Sequence, residues 1–259
     1  MHLARKNARG EWHRRSDIPM ELYSPEGLRL DGRRWNELRR FECHINTHPN
    51  LADGSSYVEQ GNTKVVCLVQ GPMEPKQQLQ LNECTIEVNV NVTNFSTFER
   101  RKRGKSDRQV QELVTTLERT FDQSIMTHLY PRTLIKLDLT VLAQDGGLLG
   151  TLVNAMTLAL IDAGIAMYDY ISAVSAGLQD TNVLLDLNNL EEKDMSGLTV
   201  GVIGTSEKLA LLMLENKMPV DRLESVLALA IVGSHRIREL MDQEVRRHGN
   251  DRLRKRNEM

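Results

Sequence analysis

The sequence is short of cysteine and of aromatic residues. Four Phe, two Trp and five Tyr leave the core to Leu, Val, Ile and Met. Cys43, Cys67 and Cys84 are odd in number, far apart and free of any CxxC pair. Neither a disulfide framework nor a zinc knuckle is indicated, and reduced thiols of a cytosolic or nuclear protein are expected. No apolar run reaches the roughly eighteen residues of a membrane span. The net charge of −2 excludes a polycation, so contacts with nucleic acid must come from local patches. Residues 1–19, "MHLARKNARGEWHRRSDIP", are basic but carry no apolar h-region, so a secretory signal is not indicated. They are expected to form a disordered extension ahead of Met20. Residues 249–259 are expected to be a basic C-terminal tail, a fraying end with a weak RNA-contact or nuclear-localisation signal.

What is present is a sequence of alternating periods. Tyr57–Gly71 reads as two strands about Gly61-Asn62. Cys84–Val92 places Ile86, Val88, Val90 and Val92 on one face of a strand. A helix is predicted from about Asp107, with Val110, Leu113, Leu117, Phe121 and Ile125 as its stripe and Pro131 as its end. Ile135, Leu137, Leu139 and Val141 alternate as another strand. Leu148–Ile165 is apolar nearly all round, which predicts a helix buried on most sides and stopped by Gly164. Residues 170–187 predict two more strands, and Leu198–Leu214 a hairpin about "GTSEK". A long helix follows from Asp221, with Glu224 as partner in a capping box. Strands then helices, twice, with no Pro-, Gly- or Ser-rich linker, predict one α+β domain over residues 20–248, built of two similar strand-then-helix halves.

Four stretches could carry chemistry. Glu99–Arg108, "ERRKRGKSDR", sets six basic residues against two acids on a loop, which suits a grip on phosphates without base reading. Its plain alternative is a solvated loop. "LLDLNNLEEKD" (residues 184–194) clusters Asp186, Glu191, Glu192 and Asp194, either a Mg²⁺ or acid–base site or an ordinary surface loop. "CHINTH" (Cys43–His48) hints at a metal, but alternation along a strand explains it and no full ligand set is visible. "DGGLLGTLVN" (Asp145–Asn154) has the glycines of a phosphate turn and no Lys or Arg. On physics alone it is a helix start where glycine permits close packing.

Taken together, "GLRLDGRRWNELR" (Gly27–Arg39), "DGSSYVEQGNTKVV" (Asp53–Val66), "YPRTLIKLDLTVLAQDGG" (Tyr130–Gly147), "LALIDAGI" (Leu158–Ile165) and "LLDLNNLEE" (Leu184–Glu192) resemble the RNase PH family. The resemblance runs from about Leu22 to about His248. It implies the RNase PH-like fold (ribosomal protein S5 domain 2-like), a hexameric ring with RNA threading its channel, and membership of an RNA exosome. It implies partners: a subunit of the ribosomal RNA-processing protein 45 type, S1/KH cap subunits and a processive hydrolytic exoribonuclease. It implies work on rRNA and mRNA in nucleus, nucleolus and cytoplasm. No cofactor and no metal are expected.

Active members of that family use inorganic phosphate to shorten RNA from its 3′ end, and hold it with an Arg and a Ser or Thr. Those positions fall on Leu149 and Gly150. The family's acidic pair falls on Asp186 and Glu192, and its RNA-contact arginines on Arg108 and Gln109. Lys102, Arg103 and Lys105 extend that patch, while Met73 follows Gly71-Pro72 where some members carry a cation. With hydrocarbon where a dianion needs a guanidinium, the expectation is a catalytically inactive ring subunit in which Asp186, Glu192, Leu149 and Gly150 are vestiges. The alternative is an active phosphorolytic 3′→5′ exoribonuclease subunit whose missing cation comes from a partner.

Overall fold

The computed structural model describes residues 27–74, 84–97, 107–179, 182–206 and 208–258. The chain separates into two compact units, residues 1–35 and 36–259. In the first, Asp31 accepts from Arg33 Nε at 2.6 Å and pins a turn closed by Gly32 N–H to the Arg29 carbonyl.

The second unit holds two sheets. β1 (Phe41–Ile45), β2 (Gly54–Gln60), β3 (Thr63–Met73), β4 (Thr85–Val92) and β5 (Leu134–Ala143) form one, in the order β1-β2-β3-β5-β4. All its pairs are antiparallel except β4 with β5. β6 (Ile171–Gln179), β7 (Asn182–Leu185), β8 (Ser196–Ile203) and β9 (Leu209–Leu214) form an antiparallel sheet ordered β7-β6-β8-β9. α1 (Arg108–Asp122) packs on β4, and α4 (Val220–Glu258) on β1, β6, β7 and β8. α2 (Leu148–Ala163) packs on β2 and β3 of one sheet and on β6 of the other. That double burial explains its composition: every residue from Leu148 to Leu160 is buried.

Polar residues inside so apolar a helix have defined work. β7 pairs only with Ala176–Gln179, which leaves the start of β6 open on that side. Asn154 fills the gap, donating to the Ala173 carbonyl at 2.9 Å and accepting its N–H at 2.8 Å. Thr157 donates to the Ile171 carbonyl at 2.9 Å. Buried backbone groups are thereby satisfied by side chains. Gly54 on β2 has no room for a Cβ, which would stand 2.3 Å from the Ala159 carbonyl oxygen.

The two predicted halves, the hairpins and the stop at Gly164 stand where expected: Gly164 has φ +71° and its N–H bonds to Ile161. Four expectations are corrected. α1 ends at Asp122, well before Pro131, and buried Ile125 sits beyond it, bridged to Met167. α4 starts one residue before Asp221. The Arg222 N–H already bonds to the Pro219 carbonyl, so Asp221 lies inside the first turn and forms no capping box with Glu224. A short helix, α3 (Asn189–Asp194), occupies the acidic cluster read as loop or strand end. The residues read as a basic tail continue α4 through Glu258.

Candidate active site at the start of the buried helix

The turn before α2 joins β5 to the helix and packs against Arg39, just ahead of β1, and against the β7–α3 segment. Gly146 and Gly147 have φ of +79° and +61°. A Cβ on Gly146 would meet the Asn188 carbonyl carbon at 2.5 Å, and one on Gly147 the Arg39 Nη2 at 2.7 Å. The glycines therefore permit close packing against the second half of the fold. Gly150 does the same inside the helix, since its Cβ would stand 3.3 Å from the Ala173 carbonyl oxygen. It faces β6 and offers nothing to solvent. Leu149 is 4% exposed and packs in the core at the edge of a cleft.

Beneath the turn lies a buried ion pair. Arg39 Nη2 and Nε donate to Asp186 Oδ1 at 2.8 and 3.1 Å, and the Arg39 N–H donates to Oδ2 at 2.8 Å. Gln60 Nε2 adds a fourth donor at 2.8 Å. The same guanidinium donates from Nη1 to the Asp145 carbonyl and from Nη2 to the Gly146 carbonyl. Burial would lower the Arg39 pKa, and the Asp186 carboxylate raises it above its ordinary value. Asp186 is 0% exposed at φ +56°, in the left-handed region that acidic and amide side chains tolerate best. It is a hub that fixes the turn from below and does not line the cleft. Asp186, expected as a catalytic vestige, is thus held within this ion pair.

Glu192 reaches the cleft itself. The cleft measures ≈ 540 Å³ and is lined among others by Gln109, Glu112, Leu149, Glu192, Lys193 and Glu215. The Gly147 N–H donates to Glu192 Oε1 at 3.4 Å. Burial, and after it the charge of Glu215, push the Glu192 carboxyl up to about 7. Burial and Glu112 raise Glu215 as well. The remaining acids diverge. Glu191 is buried and closes a capping box with Asn188, and Asp194 is exposed. The carboxylates of residues 184–194 therefore do not converge on a cation, and no group of ligands fit for a metal occurs among the described residues. Cys43 and His44 point to opposite faces of β1, and burial pushes the Cys43 thiol up to about 12.

Arg108 is the exposed first residue of α1, behind Asp107, whose side chain accepts the Gln109 N–H. Gln109, the next residue, lines the cleft, and Arg108 is not among its lining. Lys102, Arg103 and Lys105 lie outside the described residues. Met73 ends β3, half-buried and paired with Leu134. Arg39 was missed by sequence reasoning. Its partner lies 147 positions away, and no local pattern announces such a pair.

Comparison with known proteins bears on this geometry. The model of the 3′ exoribonuclease family, domain 1 (RNase_PH), matches residues 37–166, and domain 2 (RNase_PH_C) matches residues 169–233. The chain is 58% identical to exosome complex component SKI6 of Saccharomyces cerevisiae over 90% of its own length and 96% of that protein's. It is 38% identical to exosome complex component RRP41 of Mus musculus, over 88% and 95% of the two lengths. A rice Rrp46 crystal structure covers 84% of the chain with its whole length, at a TM-score of 0.75 and 29% identity. An Archaeoglobus fulgidus exosome with RNA bound to the active site shares the fold, at a TM-score of 0.71 and 21% identity. The expectation that the chain is no enzyme is overturned here. The models that match describe 3′ exoribonucleases, and the first extends across the turn with its leucine.

Proposed function

Since the chain belongs to the RNase PH 3′ exoribonuclease family, we propose that it is an RNase PH-type subunit of an RNA exosome that shortens single-stranded RNA from the 3′ end by phosphorolysis. The observation that carries this reading is 58% identity across nearly all of a yeast exosome component. In the reaction, an orthophosphate oxygen bonds to the phosphorus of the terminal phosphodiester. The bond from that phosphorus to the penultimate nucleotide's 3′ oxygen breaks, and the departing oxygen takes a proton. The products are a nucleoside diphosphate and an RNA one nucleotide shorter.

Each nearby group has a part. Glu192, with its carboxyl pushed to about 7, retains a proton near neutrality and donates it to the leaving oxygen. The Arg39–Asp186 pair fixes the turn whose Gly147 N–H holds Glu192. The amides at the start of α2 face the attacking phosphate. Leu149 brings no charge to that ion, so the guanidinium comes from a neighbouring subunit of the ring. Arg108 receives the RNA backbone, with Lys102, Arg103 and Lys105. In this reading the ring has six members, a ribosomal RNA-processing protein 45-type neighbour, S1/KH caps and a docked hydrolytic exoribonuclease. It handles rRNA precursors and mRNA in nucleus, nucleolus and cytoplasm.

The test is a time course with the assembled complex, prepared without its hydrolytic subunit, on single-stranded RNA. Nucleoside diphosphates that appear only when orthophosphate is added support the reading. RNA that stays full length with orthophosphate present refutes it.

A further inference from the structure

The last turns of α4 are strongly basic, and none of their residues lines the cleft. Residues 246–256 carry six Arg and Lys against one acid, Asp251, while the rest of the chain carries 27 against 34. Three of the six are committed within the fold. Arg246 pairs with Asp242 and Arg247 with Glu244, each at 2.7 Å. Arg252 Nη2 donates at 2.7 Å to Asp162, whose side chain is 2% exposed and also accepts the Ser55 N–H. That contact ties the helix end to the last turn of α2, where an acid next to the helix C-terminus calls for a cation. The helix is thus anchored and carries three further cations past its anchor.

Arg254, Lys255 and Arg256 are exposed and pair with no acid among the described residues. At about 100° per residue they spread around some 200° of the helix. Leu253, 58% exposed, is the only large apolar side chain among them. A protein groove would need an apolar stripe with charges at its edges. Cations fanned around a rigid rod instead match a flexible polyanion that can wrap it, and the sign is opposite to that of the rest of the chain.

We propose that residues 252–256 form a second RNA-binding site, outside the cleft, which holds the phosphate backbone of single-stranded RNA through Arg254, Lys255 and Arg256 on a helix anchored by Arg252. The proposal rests on the reading of the protein as an RNA-processing subunit. Its test reads binding without orthophosphate, so absent turnover leaves it standing. The complex carrying Arg254→Gln, Lys255→Gln and Arg256→Gln keeps the anchor, and glutamine is as good a helix former. Affinity for a single-stranded RNA is measured from low to high salt. Three lost phosphate contacts lower the slope of log affinity against log salt by about 2 and weaken binding roughly ten- to a hundredfold at moderate salt. Unchanged affinity and slope overturn the proposal. So does a complex that loses a subunit while its RNA affinity per assembled particle stays the same, since the helix end then serves an acidic protein surface.

Discussion

Replacing Arg39 with leucine isolates the contribution of the buried hub. Asp186 is 0% exposed and accepts two bonds from the guanidinium and one each from the Arg39 N–H and Gln60. The substitution leaves the last two and strands a carboxylate where no water compensates it. Breaking a buried pair in this way costs about 3–5 kcal/mol. The turn carbonyls of Asp145 and Gly146 lose their donors as well. At about 2–4 °C per kcal/mol for a chain of this class, melting falls by about 6–20 °C. Adding Asp186→Asn removes the stranded charge while keeping an acceptor, and asparagine tolerates the positive φ. The double variant should therefore be more stable than Arg39→Leu alone by about 1–3 kcal/mol. Urea unfolding of wild type, both single variants and the double variant gives the coupling directly. A loss below about 1 kcal/mol for Arg39→Leu, as for a solvent-screened pair, or strictly additive singles, would show that the hub does not hold the turn.

Three further outcomes are expected. Glu192 has its carboxyl raised from 4.5 to about 7, so the folded state keeps a proton that the unfolded chain releases. Its contribution is complete below pH 4.5 and lost as pH rises through about 7. Glu192→Gln should thus gain on wild type by as much as about 3 kcal/mol between pH 5 and pH 8, while nucleoside diphosphate release falls; equal unfolding curves at both pH values contradict this. Gly54→Ala drives a Cβ to 2.3 Å from the Ala159 carbonyl oxygen and should cost about 3 kcal/mol or more, visible as a lower urea midpoint. Arg108→Gln should lower the salt slope of RNA binding by about 0.7 with ring assembly intact, and an unchanged slope would place Arg108 away from RNA.

Much of the framework is legible because burial is periodic. Val88, Val90 and Val92 on β4, and Ile135, Leu137, Leu139 and Val141 on β5, alternate because one face of each strand packs and the other meets water. The all-round apolar pattern of α2 announces a helix between two layers. The site was less legible for a different reason. Arg39 and Asp186 are joined only by the fold, and neither sits in a local pattern that marks it as one half of a pair. α3 was legible in principle, since Asn188 and Glu191 stand at capping-box spacing, but four acids in eleven residues drew the reading towards a metal or a loop. The leucine at 149 was read as a missing charge and hence as silence. The structure shows it packed in the core beside a cleft that Glu192 lines, a carboxyl that burial pushes up to about 7, and the family assignment does not depend on that one side chain.

In the proposed reaction this cleft joins orthophosphate to the 3′ nucleotide of RNA. Radiolabelled orthophosphate supplied to the assembled complex, purified free of any hydrolytic nuclease, tests it most directly. Label is expected in the β-phosphate of released nucleoside diphosphates and is lost with Glu192→Gln. Unlabelled nucleoside monophosphates as the sole product, or no product while RNA is bound, would contradict it.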